Sequence, residues 1–425
     1  MSEAETLRPT AQRASPDTPG AIPSWARGEV AAWLADHRGT DLPGEAVVGE
    51  LCDRLVAAGV PLARCIVALD DVHPQVGARG FFWRRGARAE LELLPLTSRL
   101  SPDYQHSPIL VIHNGASAIR RRLTDGGVAL DFPVLHELRA AGFTDYMAMP
   151  LIFSDGQRHF ISWTTDAPGG FTVDTLTLLY DLMPLICLRL EIAHGRIKTR
   201  TLLETYLGQL AATRILAGRV RRSEGETLRA VLMFADMRGF TLDSGRLTPD
   251  DLIRLLNIFY DTIADPILRH GGDVVKLIGD GVLTIFPVED EADAATLGAI
   301  VRHAARAAQE AEARLRAFTA EDLPGPIERL RGGFGLELGS VSFGNVGSAS
   351  RLDFTVIGPS VNEVVRLESM TKILGVPILA SDRFCLAAPE LRARSLGFHA
   401  LRGVPDLREL HSLPILSDPV AAPGA

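Results

Sequence analysis

The sequence predicts a mixed α/β protein of the α+β kind, with two domains joined by a helical segment. Three observations carry this. Short apolar runs of strand length alternate with amphipathic helical stretches along most of the chain. The stretch from Val231 to Pro287 reads strand, helix, strand, turn, strand, with capping and turn residues where such an order needs them. A long helical pattern, Val173 to about Gly218, separates it from an earlier group of strands. Composition agrees, because 46% hydrophobic and 23% charged residues are ordinary for a globular protein and 425 residues suffice for two or three cores.

Residues 1–24 are rich in Pro, Thr, Ser and Ala and are expected to be a disordered tail. Residues 25–172 are expected to form the first domain. Glu45 to Ala58 has a helical period that stops at Gly59. Cys65 to Leu69, Gly80 to Trp83 and Ile109 to Ile112 read as strands, and Asp131 to Ala140 as a helix ending at Gly142. Tyr146 to Phe153 and His159 to Thr164 read as a hairpin around Ser154-Asp155-Gly156. Together these predict an antiparallel sheet with flanking helices. Arg120-Arg121-Arg122 reads as a solvated helix face. His73, His106, His113 and His159 read as ordinary histidines, since no motif frames them as ligands.

Residues 173–222 are expected to be a helical transducer. Leu176, Leu179, Met183, Leu185, Leu188 and Ile192 give one apolar face, which Leu202, Leu203, Tyr206, Leu207, Leu210 and Ile215 continue. Pro184 should kink the helix and Gly195 weaken it. Such a stripe either buries against a neighbouring domain or pairs with a second copy, and the dimer is favoured here. Asp181, Pro184, Arg189 and Glu191 make its most apolar part too polar for a membrane span. Arg219 to Arg229 reads as a charged connector.

Residues 223–415 are expected to form the second domain, followed by a tail at 416–425. Val231 to Ala235 is an apolar strand that delivers Asp236 at its end. Thr248, Pro249, Asp250 and Asp251 mark a helix start, and Leu252, Leu255, Leu256, Phe259, Ile263 and Ile267 recur at helical spacing until Gly271-Gly272. Val274 to Ile278 and Val282 to Phe286 are strands around Gly279-Asp280-Gly281. A strand-helix-strand crossover keeps its two strands parallel, so Asp236 and Asp280 reach one rim of the sheet. Asp-Gly alone is a hairpin signal. Two carboxylates on one rim, however, suit divalent ions: Mg²⁺ takes one or two carboxylates with waters and substrate phosphates. A pair of such ions suits in-line attack on phosphorus.

Glu291 to about Phe318 reads as an Ala-rich amphipathic helix. Phe334 to Leu338 and Val341 to Gly344 read as strands around a Gly339-Ser340 turn. Leu352 to Ile357 is a further strand, stopped by Gly358-Pro359, with Ser360 placed to cap the next helix. Asn362 and Arg366 stand at i and i+4 on that helix and share a face, while Val361, Val365, Met370 and Ile373 lie largely elsewhere around it.

FADMRGFT followed by VKLIGDG, and then GNVGSASRLDFTVIGPSVNEVVRLE, resemble the catalytic core of the class III nucleotidyl cyclases over roughly Ala230 to Leu413. The resemblance implies a ferredoxin-like βαββαβ sheet with flanking helices. It implies that Asp236 and Asp280 hold two Mg²⁺ or Mn²⁺ ions per active site, helped by the Met237 carbonyl. It assigns Asn362 to the ribose and Arg366 to charge on the reacting phosphate. Main-chain amides around Gly239, Phe240 and Thr241 would lie near the phosphates, and Arg402 would meet the triphosphate. Lys276 and Thr355, seven positions before Asn362, stand where the family reads the base. An ammonium donates to adenine N1 and a hydroxyl accepts from its amine, so the pair implies ATP and matches a bacterial Lys/Thr subgroup. In the family the two residue sets come from opposite subunits, which implies a homodimer. The segment MPLIFSDGQRHFISWTTDAPGGF is similar to the end of GAF-like sensor domains, which hold a small ligand or serve as dimerisation modules.

The expected activity is therefore an adenylate cyclase making 3′,5′-cyclic AMP and pyrophosphate from ATP, regulated through the first domain by a small-molecule or protein effector. The alternatives are a guanylate cyclase, disfavoured by Lys276, and a non-catalytic nucleotide-binding signalling protein, which would usually have lost one of these side chains. A net charge of −8 argues against nucleic acid as a partner. Four scattered cysteines, no secretory signal and no membrane span imply a cytoplasmic protein.

Overall fold

The computed structural model describes residues 24–36, 42–124, 130–221 and 225–416. The two expected tails lie almost wholly outside these residues. The chain divides into two compact units between Leu202 and Leu203.

The first unit begins with helices α1 (Ser24–Ala35) and α2 (Gly44–Ala57), followed by strands β1 (Arg64–Asp70), β2 (Val76–Arg84) and β3 (Glu90–Pro95). The short helices α3 (Pro102–Gln105) and α4 (Pro108–His113) precede β4 (Ile119–Arg122), α5 (Pro133–Ala140), β5 (Asp145–Ile152), β6 (Arg158–Thr165) and α6 (Val173–Leu207). The strands make one antiparallel sheet in the order β3-β2-β1-β6-β5-β4. Val48, Leu51 and Leu55 of α2 and Leu179, Met183 and Ile186 of α6 cover one face, while Ile112 and Leu135 help cover the other.

Several expectations are corrected here. Ile109 to Ile112 is helical rather than a strand. The Ser107 hydroxyl accepts the Leu110 amide and Pro108 takes the first turn, a helix start that outweighs the β-branched run. Arg120 to Arg122 lies on β4 rather than on a helix. Arg120 reaches the fully buried Asp145 at 2.6 Å, and Arg121 reaches Asp131 at 2.6 Å. In α6 the buried stripe follows Leu178, Leu182, Ile186 and Leu190, which leaves Leu188 and Ile192 exposed. The helix runs through Pro184 and breaks at Gly208, whose φ of 85° favours glycine.

The second unit continues with α7 (Gln209–Leu216), β7 (Gly225–Met237), α8 (Phe240–Asp243), α9 (Pro249–Arg269), β8 (Asp273–Ile278) and β9 (Gly281–Val288). Then follow α10 (Ala294–Ala317), β10 (Gly332–Gly347), β11 (Leu352–Ile357), α11 (Pro359–Leu374), β12 (Ile378–Ser381), α12 (Asp382–Leu386), β13 (Arg394–His399) and β14 (Arg408–Ser412). Eight strands form one sheet in the order β13-β14-β12-β10-β7-β9-β8, with β11 paired to β10. Only β10 and β12 pair in parallel. The parallel β7 and β8 have β9 between them, so their ends meet one rim as the crossover argument requires.

Both faces of this sheet are covered, which is why β7 is apolar almost throughout. Val231, Met233, Ala235 and Met237 face the layer that holds Leu255, Phe259 and Ile263 of α9 and Val301 of α10. Ala230, Leu232 and Phe234 face Ala211 of α7 and Val364 of α11. The alternation puts Asp236 on the α11 side.

Three further expectations change. The supposed connector before Val231 is already strand from Gly225, paired with β10 from Gly344 onward. Residues 332–347 are one strand with no turn at Gly339-Ser340. Gly339 is needed there because an added Cβ would stand 2.1 Å from the Ser360 hydroxyl, so α11 comes down onto the strand at that point. Ser360 itself is inside α11 rather than capping it. Gly358 holds the cap position and Pro359 the first turn.

Candidate active site

Asp236 and Gly281 are register partners on β7 and β9, which sets Asp280 beside Asp236 at the strand ends. Gly279 adopts φ 61° and makes the tight turn. The Tyr260 hydroxyl of α9 donates to the Gly279 carbonyl and fixes that turn from below. Burial raises the Asp280 carboxyl above the ordinary aspartate range, and the charge of Asp236 and a hydrogen bond with it add to the rise. Asp280 therefore holds a proton more tightly than a free aspartate, and the two carboxyl groups are within hydrogen-bonding reach of each other. Two carboxylates in this state fit a divalent ion, whose charge would relieve the repulsion.

The nearest cation had no place among the expected residues. Lys372 Nζ lies 3.3 Å from Asp236 Oδ2. Beside it, Arg238 sits against β10 at Gly333, where any Cβ would stand 2.0 Å from its guanidinium. Arg238 pairs with the buried Glu368 at 3.1 Å and donates to the Thr371 hydroxyl. Burial, and next the charge of Asp236, push Glu368 up to about 7, while burial lowers Arg238. Glu368 and Lys372 stand at i and i+4, so one face of α11 addresses Asp236. That spacing was legible, but which chain segment it met was not.

The other expected residues have these places. Met237 is buried at the end of β7, opposite Gly332. Gly239, with φ 85°, caps the one-turn helix α8, which holds the half-buried Phe240 and the exposed Thr241. The first amides of a helix have no intrahelical acceptor, so those at this turn are available to an anion. Lys276 of β8 is ion-paired to Asp353 of β11. Thr355 is two residues further along β11, on the face of Asp353, and buried. Asn362 is exposed and Arg366 half-buried on α11. Neither side chain has a hydrogen bond or ion pair among the described residues. Arg402 is exposed in the segment between β13 and β14.

Residues 225–412 match the family described as the adenylate and guanylate cyclase catalytic domain. This stretch is similar to cyclase catalytic domains. It is 30% identical over 174 residues to adenylate cyclase 1 of Rhizobium meliloti strain 1021, a match covering 40% of this chain and 25% of that protein. It is 33% identical over 166 residues to the adenylate cyclase of Anabaena cylindrica, covering 39% of this chain and 32% of that one. The chain thus spans about a quarter to a third of the length of these relatives. Among solved structures it is similar to the adenylyl cyclase CyaB from P. aeruginosa, at 24% identity and TM-score 0.39, covering 47% of this chain and 100% of that one. The matched residues include every strand of the second unit's sheet. No helix among the described residues is long and apolar enough to cross a membrane.

Proposed function

We propose that the cyclase domain is an adenylate cyclase converting ATP to 3′,5′-cyclic AMP and pyrophosphate. The observation that supports this reading is the hairpin β8–β9, which holds the Lys276 ammonium and, only four residues on, the Asp280 carboxyl beside Asp236. Asp236, Asp280 and the Met237 carbonyl would hold two Mg²⁺ or Mn²⁺ ions. When bound, such ions lower the pKa of the attacking hydroxyl and bind phosphate oxygens.

The chain's own residues supply the rest. Lys276, steadied by Asp353, donates to adenine N1, and Thr355 accepts from the adenine amine. Asn362 orients the ribose. Arg366 binds the α-phosphate as charge develops on its oxygens, for which a planar guanidinium with no competing partner is well suited. The amides at Gly239, Phe240 and Thr241 hold the outer phosphates, together with Arg402. The ribose O3′–phosphorus bond forms, the bond to the bridging oxygen breaks, and the hydroxyl proton leaves to water or a substrate phosphate.

The two residue sets belong to different subunits of a homodimer. Glu368 and Lys372 turn one face of α11 to the chain's own Asp236. At ~100° per residue, Asn362 and Arg366 lie about 120–160° around the helix from Glu368. They point away from that carboxylate and suit the Asp236 and Asp280 of a second copy. The first unit would then regulate the pair through an effector of its own.

Product formation tests this. ATP or GTP is supplied with Mg²⁺ or Mn²⁺, and Asp280→Ala serves as the blank. Cyclic AMP from ATP is expected. Cyclic GMP would overturn the roles of Lys276 and Thr355 but keep the metal site. Activity restored by mixing Asp236→Ala with Arg366→Ala chains is expected for a shared site, and verified heterodimers that stay silent would refute it.

A further inference from the structure

The end of the cyclase domain brings together a second set of metal-type side chains. Asp382 opens α12, while Glu409 and His411 are alternate residues of β14 and share a face. One carboxylate oxygen from each acid and one imidazole nitrogen all lie within 4.8 Å of one another. His411 Nε2 stands 3.4 Å from Asp382 Oδ1. That nitrogen is buried and has no hydrogen-bond partner, so it touches the carboxylate without donating to it. Two ligands at the usual 2.0–2.2 Å from one tetrahedral ion are themselves about 3.4 Å apart. The spacing is that of neighbours in a coordination shell.

The local charge points the same way. Asp382 and Glu409 line a cavity of about 260 Å³ together with the buried Glu337. Glu363 is next to it, which makes four carboxylates against two guanidiniums. Arg383 pairs with Glu337 at 3.2 Å and also with Glu363, and Arg408 reaches Glu363 at 3.4 Å. Arg383 is thus directed to Glu337 and Glu363, and Arg408 to Glu363 and Asp406. Glu409 accepts the Ser395 hydroxyl at 2.5 Å, and among the described residues the Asp382 carboxylate pairs with His411 alone.

We infer that Asp382, Glu409 and His411 form a binding site for a divalent transition ion of the zinc type, with water from the cavity completing the shell. An imidazole with two carboxylates suits Zn²⁺ or Co²⁺ better than Mg²⁺, which prefers oxygen and keeps its waters. The site is therefore chemically distinct from the all-oxygen pair at Asp236 and Asp280. An ion here ties β14 to α12 and pins the β13–β14 hairpin, whose connecting segment carries Arg402.

The test uses the full chain, untagged and stripped with EDTA. Zn²⁺ is titrated by calorimetry, and Co²⁺ by its visible absorption. One equivalent per chain beyond what the Asp236 and Asp280 pair takes up is expected, and it is weakened at least tenfold in His411→Ala and in Asp382→Asn. Binding should persist in the Asp236→Ala/Asp280→Ala double variant, which keeps this result separate from the fate of the proposed cyclase chemistry. Zn²⁺ should also raise the Tm of the double variant, and adding His411→Gln to it should abolish that rise. Equal binding by the parent and by folded His411→Gln or Asp382→Asn would overturn the site. So would no binding at all, or loss of the ion in the double variant.

Discussion

Lys372 Nζ lies 3.3 Å from Asp236 Oδ2, so a side chain of α11 neutralises part of the charge at the end of β7. The same carboxylate is the one proposed to hold metal. The lysine and a divalent ion therefore compete for it.

Replacing Lys372 with Met should tighten Mn²⁺ binding at this site. An exposed ion pair contributes roughly 0.2–1 kcal/mol, which corresponds to about a 1.4- to 5-fold gain in affinity. Electron paramagnetic resonance of free Mn²⁺ would measure it. Weaker binding in the variant would mean that Lys372 orients Asp236 rather than competing for it.

Arg238 and Glu368 make the neighbouring pair pH-dependent. Glu368 is pushed from the ordinary 4.5 up to about 7, so the folded chain holds its proton more tightly than the unfolded chain does. The stability from this source is complete below pH 4.5 and is lost as pH rises through 7. In EDTA, Glu368→Gln should flatten that decline in urea titrations. Arg238→Met should cost little at pH 6 and about 1–3 kcal/mol at pH 8, where a charged, buried Glu368 has lost its partner.

His159 has the opposite sign. Burial lowers it from 6.5 to about 4, and its Nδ1 accepts the Asp70 amide at 3.1 Å. The folded chain keeps the ring neutral. Stability from this source is intact above pH 6.5 and is lost as pH falls toward 4, by up to about 3 kcal/mol. All four tryptophans, Trp25, Trp33, Trp83 and Trp163, lie in the first unit, so their fluorescence reports its acid unfolding selectively. His159→Gln should shift that transition to lower pH.

Asp273 caps α7. Its carboxylate accepts the Gln209 amide at 3.2 Å and the Leu210 amide at 2.7 Å. Asp273→Ala should cost about 1 kcal/mol, within the range of roughly 0.5–2 kcal/mol for lost caps, as measured by urea unfolding followed by circular dichroism. Gly208→Ala should destabilise as well, because its Cβ would stand 2.7 Å from the Val274 carbonyl.

What the sequence made legible was local. Thr248 does cap α9 and accepts the Asp251 amide, and Leu255, Phe259, Ile263 and Ile267 are its buried stripe. The β8–β9 hairpin follows from Gly279-Asp280, and the convergence of Asp236 and Asp280 follows from crossover geometry. Elements whose signals conflict were misread. Ile109 to Ile112 has strand composition but a helix start, and Gly339 has the appearance of a turn while serving close packing. Contacts between distant segments had no local trace. Lys372 meets Asp236 across 136 positions, and Asp353 meets Lys276 across 77. The 16-residue β10 was hidden for the same reason, since its partners on either side decide its length.

The cap at Asp273 has a mechanical consequence. The residue that grips the start of α7 also starts the strand leading to Lys276 and Asp280. Gly208 leaves no slack there, since its backbone is pressed against Val274. A twist or tug applied to α7 must either break both hydrogen bonds to the Asp273 carboxylate or pull β8 with it. Lys276 is then three residues from the point where the force enters, and Asp280 seven. The second unit thus has a built-in handle, attached almost directly to the two residues proposed to meet the base and the metal.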